Sequence, residues 1–353
     1  MGNTLNEDRR KIYLDLLRIT AAFFIVMLHV CSSAWANTDI CSHEWRMLNM
    51  YESASRWGVP VFVMISGALF LDRDIPLKKL FGKYILRIVS AFIFWSAVYA
   101  FIYEFLPGHG TARIIKAWIS GPNHLWFLYM IAGFYMLTPI FRKIAQDDRL
   151  TEYFIILSLV FNFLIPQSIA LIRLSSPENA DWVQDLVYNF RMQLVLGYSP
   201  YYLLGYRLSR IKIGKKTKLL LYIAGIAGFI ATFAGSAAIA RFRGKAVETL
   251  YGYSTLNVFF MTIAVFLLFR SLYENKSFAP KARSIIGRLS KYSFGVYLVH
   301  VLIIRQLKSR LGIYCLSFDP LLCVPLLTVL VFLLSNAVSA LLDRIPFVKK
   351  YLV

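Results

Sequence analysis

The sequence predicts an all-α protein, a polytopic integral membrane bundle of about ten transmembrane helices with both termini cytoplasmic. Three observations carry this expectation. Of 353 residues, 58% are hydrophobic and 16% charged, with a mean hydropathy of +0.58, whereas a water-wetted domain of this size carries roughly 25% charge. Apolar windows of spanning length recur along the whole chain. The 39 Lys and Arg against 19 Asp and Glu leave a net charge of +20, and that excess collects in alternate loops. Cytoplasmic loops facing anionic lipid account for such a pattern, so nucleic acid is not an expected partner.

The windows fall at 12–31, 57–72, 85–106, 124–141, 152–173, 192–208, 218–240, 253–272, 292–311 and 319–342. Turn and helix-end residues separate them, among them Pro107, Gly108, Pro122, Pro177, Gly214 and Pro280. The sixth is the weakest, because it holds Pro200 and several tyrosines. The first ten residues are polar, and no small-residue cleavage site follows the first window, which is therefore expected to stay as a helix. No internal repeat is visible, and one membrane domain over 1–353 is expected. Ten spans put both termini on one side, and basic residues favour that side by 26 to 12, with Arg18 inside a span. The four cysteines, Cys31, Cys41, Cys315 and Cys323, then fall on the outer side. An oxidising exterior permits disulfides, and unpaired apolar thiols fit equally well. Their spacing resembles no zinc site, and no metal is expected.

Charged groups inside spans are costly and usually face a bundle interior or a wet cavity. In the first span Arg18 and His29 are eleven residues apart. At about 100° per residue that separation closes to within ~20° of the same face, over a rise of roughly 16 Å. Asp15 lies a turn below Arg18, and His300 lies in the ninth window among apolar neighbours. Each alone has a plainer reading: Arg18 snorkels, His29 ends its helix, His300 bonds between helices. Together they point to chemistry. A neutral imidazole activates a hydroxyl or carries an acyl group, and an arginine fork suits phosphate or a thioester carbonyl. Lys78, Lys79, Lys83 and Arg87 extend an anion site, or form an ordinary cytoplasmic cluster. No P-loop, dinucleotide-binding fingerprint or nucleophile elbow is present.

Several segments resemble one family, the membrane-bound acyltransferase family 3. Arg18 and His29 match its Arg-to-His spacing, and the second window resembles its Val-Pro-aromatic stretch with Ser66 and Gly67. His124, Leu125 and Trp126, then Tyr135 and Pro139, resemble its fourth segment, while Tyr297, Leu298 and His300 resemble its ninth. The wording is similar to members acting on bacterial surface polysaccharides, including the enterobacterial common antigen O-acetyltransferase type. The resemblance implies acetyl-CoA as cytoplasmic donor and a hydroxyl of a glycan or lipid-linked saccharide as acceptor, in a bacterial plasma membrane. It implies a catalytic His29 with Arg18 orienting substrate, supported by His300, Tyr297, Ser66, His124 and Trp126, and the position of Asp15 beside Arg18 adds it to the candidate site. A double-arginine motif after the second span is replaced here by Arg73 and the lysines. The sequence also resembles the membrane half of serine racemases from vancomycin resistance, so transport of serine or a saccharide intermediate is the alternative. No inverted repeat supports transport. Outer-loop Trp35, Trp45, Trp118 and Trp182 suit sugar stacking or an interfacial belt.

Overall fold

The computed structural model describes residues 11–178, 180, 181, 184, 185 and 197–352, and all regular structure among them is helical. The principal helices are α1 (Ile12–Trp35), α2 (His43–Ser55), α3 (Gly58–Phe70), α4 (Leu86–Ala100), α5 (Thr111–Ser120), α6 (Trp126–Ala145) and α7 (Asp148–Ser158). They continue as α8 (Ile165–Ser175), α9 (Ser199–Arg210), α10 (Lys215–Arg243), α11 (Leu256–Tyr273), α12 (Pro280–Leu311), α13 (Pro320–Leu342) and α14 (Pro346–Tyr351). Taken across their internal π-helical, 3₁₀ and turn residues, eight helices among the described residues are long and apolar enough to span a membrane. The two other windows belong to α9, whose window begins at residues that are not described, and to α12, which is 32 residues long but rich in cations.

The second span is longer than its window. It runs His43–Phe70, with α2 continuing almost directly into α3. Polar residues at 43–56 hide this extension from a hydropathy reading. In the structure several of them find partners. Arg56 pairs with Glu52, Asn49 accepts from the Tyr251 hydroxyl, and Asn49 Nδ2 donates to the Phe233 carbonyl at 3.0 Å. Paired in this way, polar groups are tolerated where isolated charges are not.

Glycines allow the helices to approach closely. An added Cβ on Gly67 of α3 would overlap the Tyr202 carbonyl of α9, and one on Gly205 would overlap the Met64 carbonyl. Gly225 and Gly228 of α10 lie equally close to Ala264 and Asn257 of α11. Without a hydrophobic drive between helices in lipid, such backbone proximity supplies the packing. Gly244 and Gly312 end α10 and α12 at φ of 68° and 67°, left-handed values that glycine adopts without strain.

At the end where α1 begins, many loop cations are neutralised locally. Arg142 pairs with Asp74, Arg210 with Asp72, Arg207 with Asp148 and Glu152, and Lys291 with Asp343. The four cysteine thiols are unpaired: Cys31, Cys315 and Cys323 are buried, and Cys41 is exposed.

Candidate active site

A cavity of about 530 Å³ runs up the bundle between α1, α3, α4, α6 and α12. One end carries Arg18, Arg87, Ser290 and Lys291, and its middle is walled by Ser66 and aromatic rings. Phe70 stacks on Tyr135 at 4.0 Å and meets Tyr84 edge-on at 5.0 Å. The inner end is formed by Ile25, Phe127 and Tyr297.

One helical turn beyond Ile25 and Tyr297, three imidazoles meet. The rings of His29 and His300 are 5.0 Å apart, those of His124 and His300 5.5 Å, and those of His29 and His124 6.1 Å. Three separate elements deliver them. His29 stands on the same side of α1 as Arg18 and Ile25, at helical spacing. His124 comes from the short 3₁₀ turn Asn123–Leu125 that precedes α6. His300 lies inside α12 and is fully buried.

The histidine geometry is held by named hydrogen bonds. His300 Nδ1 is 3.0 Å from the Val296 carbonyl; a carbonyl only accepts, so Nδ1 carries the proton and the lone pair of the neutral ring is on Nε2. Nε2 of His300 and of His124 have no hydrogen-bond partner among the described residues. Tyr297 donates to the His124 carbonyl at 2.6 Å. Tyr99 was not singled out from the sequence, yet its hydroxyl is inserted into the ladder of α12. It donates to the Leu298 carbonyl at 3.1 Å and accepts from Leu302 N–H at 3.0 Å. Both groups belong to the turn of α12 that presents His300, so Tyr99 ties that turn to α4.

At the arginine end, Ser290 donates to Asp15 at 2.5 Å and accepts from Arg18 at 3.4 Å. Asp15 is buried and fixes the serine that faces the arginine. Arg87 lies 5.2 Å over the Phe294 ring. Its entry into the cavity follows a π-helical stretch, Leu80–Ile85, whose wider turn changes the register of the helix. Lys78, Lys79 and Lys83 of the same segment are exposed and line neither cavity.

A second hollow of about 1090 Å³ adjoins the first, and both share Gly287 and Lys291. Lys11, Lys276, Arg283 and Arg288 line it, against Asp15, Asp72 and Glu274. The basic start of α12 is therefore part of the site. In the sequence these cations are indistinguishable from any cytoplasmic loop cluster. Trp35 and Trp45 stack on each other at 6.1 Å and are buried. Trp118 is exposed and donates to the Ile93 carbonyl at 3.0 Å, and Trp182 lies outside the described residues. No set of three or more His, Cys, Asp or Glu among the described residues is arranged to hold a metal ion.

A helical membrane bundle with an arginine in a cavity between its helices and a histidine cluster one helical turn beyond that cavity has the build of a membrane group-transfer enzyme. The acyltransferase 3 family, described as an acyltransferase domain, matches residues 11–342, nearly the whole chain. The chain belongs to this family of membrane acyltransferases, which does not favour the transporter alternative. No curated protein and no solved structure matches it.

Proposed function

We propose that the protein moves an acyl group, acetyl in the first instance, from cytoplasmic acyl-coenzyme A to a hydroxyl of a cell-surface or lipid-linked saccharide, in the plasma membrane. The observation that carries this reading is the succession of three features: a basic hollow, an aromatic-walled cavity that shares Gly287 and Lys291 with it, and a cluster of imidazoles one helical turn beyond. Acyl-coenzyme A has the same three parts, a multiply charged phosphorylated nucleotide, a slender pantetheine arm and a thioester. Arg283, Arg288 and Lys276 suit the phosphates. Arg18, oriented by Ser290 and Asp15, suits the first polar group of the arm. The thioester then reaches His29.

The transfer balances as follows. The His29 imidazole takes the proton of the acceptor hydroxyl, and its oxygen attacks the thioester carbonyl. The carbon–sulfur bond breaks, and the coenzyme A thiolate leaves with the proton now on the imidazolium. An alternative order passes the acyl group through an acyl-imidazole before the hydroxyl attacks.

The test is turnover of radiolabelled acetyl-CoA by purified wild type, Arg18→Ala and His29→Ala in lipid nanodiscs. Wild type should bind and turn over the donor, His29→Ala should bind without turnover, and Arg18→Ala should bind weakly. No binding by wild type above empty nanodiscs would remove the assignment.

A further inference from the structure

At the end of the bundle opposite the paired basic loops, three aromatic rings form a shallow dish. Trp126 lies 5.6 Å from Tyr198 and 6.0 Å from Tyr253, with the two tyrosines 6.2 Å apart. The Trp126 plane is inclined by 35° and 25° to those of its neighbours. Each ring comes from a different stretch: the start of α6, the residue before α9, and the loop joining α10 to α11. None is sealed, and Trp126 is 37% exposed. Trp35 and Trp45 behave otherwise at 4% and 1% exposure, which is what apolar collapse does with tryptophan.

The dish is held by polar bonds. Asn162 Nδ2 donates to the Gly197 carbonyl at 2.6 Å and reaches Ser254 Oγ at 3.5 Å, tying together the neighbours of Tyr198 and Tyr253. The Tyr201 hydroxyl donates to the Tyr253 carbonyl at 2.7 Å. Arg56 donates to the Tyr251 carbonyl at 3.3 Å and lies 4.2 Å over the Tyr251 ring, two residues before Tyr253. Arg56 is itself paired with Glu52, and both are buried. A buried ion pair is an expensive way to hold a loop, so the position of that loop matters to the molecule.

The dish adjoins the reacting groups. Trp126 follows His124 by two residues, and Phe127, next in the chain, is 5.7 Å from Tyr297, which bonds the His124 carbonyl. Aromatic faces carrying polar handles at their edge recognise rings that are apolar on their C–H face and hydroxylated around the rim. The geometry points to a saccharide subsite in which Trp126, Tyr198 and Tyr253 receive one pyranose ring of the acceptor and hold a hydroxyl toward the histidines. The assignment rests on the acyl-transfer reading above and names where its acceptor sits.

The experiment is saturation-transfer NMR on the full chain in nanodiscs, with methyl β-D-glucopyranoside and methyl β-D-N-acetylglucosaminide as probes and sorbitol as the open-chain control. Wild type, Trp126→Ala, Tyr253→Ala and Trp126→Phe are compared, and acetyl-CoA binding is measured on each. Ring C–H saturation should appear with wild type, fall about ten-fold in both alanine variants and return in Trp126→Phe. Acetyl-CoA binding by the variants reports that they are folded. Equal saturation across the variants, equal saturation of sorbitol, or no pyranoside signal with wild type overturns the subsite. If acetyl-CoA binds and no pyranoside does, the subsite falls and the acyl-transfer reading stands. If a pyranoside binds through Trp126 while acetyl-CoA does not, the subsite stands and the donor assignment falls.

Discussion

Removing one oxygen atom tests whether the histidine cluster is positioned or merely packed. In Tyr297→Phe the ring remains, with its contacts to His124 at 6.0 Å, His300 at 6.2 Å and Phe127 at 5.7 Å, while the 2.6 Å hydrogen bond to the His124 carbonyl is lost. His124 is buried, so its carbonyl has little access to a replacement donor from solvent. Leaving a buried acceptor without a partner costs about 1–3 kcal/mol. If that energy is released by shifting the 3₁₀ turn, His124 moves away from His29 and His300. Each 1.36 kcal/mol is tenfold in rate, so the turnover number should fall roughly 5- to 150-fold with little change in the KM for acetyl-CoA. The assay is radiolabelled acetyl transfer in nanodiscs beside a thermal melt. A variant with a lowered melting temperature and wild-type turnover would refute the reasoning, because Tyr297 would then support the fold and not the site.

Three further outcomes follow from the geometry. Gly205→Ala sets a methyl against the Met64 backbone and should destabilise the protein by about 1–3 kcal/mol or more, whereas Gly133→Ala, with open space around it, should be neutral or stabilising; denaturation in detergent compares the two. Arg283→Gln combined with Arg288→Gln should raise the KM for acetyl-CoA roughly 5- to 30-fold at low salt, less at high salt, with turnover unchanged. Asp319 caps α13 by accepting from Leu321 N–H at 2.8 Å, and that bond, with His43 at 3.4 Å, holds its carboxyl below the usual 3.8. Its contribution is present above that value and is lost as pH falls below about 4, so melting temperatures taken downward from pH 5 should drop less for Asp319→Asn than for wild type.

Much of the bundle was legible because lipid imposes a simple rule on length and polarity. Arg18 and His29 were legible too, since eleven residues return a helix to the same face. What the sequence hid depends on contacts between distant segments. His124 reaches the other histidines through a 3₁₀ turn packed against Tyr297, and Tyr99 enters the ladder of α12 from α4. Neither placement leaves a periodic trace. The helix before the second window left no hydropathy signal because Glu52 and Arg56 are charged, and their mutual neutralisation is a tertiary fact. Arg283 and Arg288 were hidden for the opposite reason: cations at a cytoplasmic boundary are so common that those lining a hollow look like all the others.

The uneven burial of the four thiols turns the native chain into its own topology reporter. Cys41 is exposed between α1 and α2, while Cys31, Cys315 and Cys323 are buried. A bulky, charged maleimide applied to intact cells or sealed vesicles should therefore modify Cys41 alone, and only from the side that Cys41 faces. Cys41→Ser supplies the blank. The orientation of the molecule, and with it the compartment that each substrate must come from, can be read without engineering a tag or removing a cysteine elsewhere.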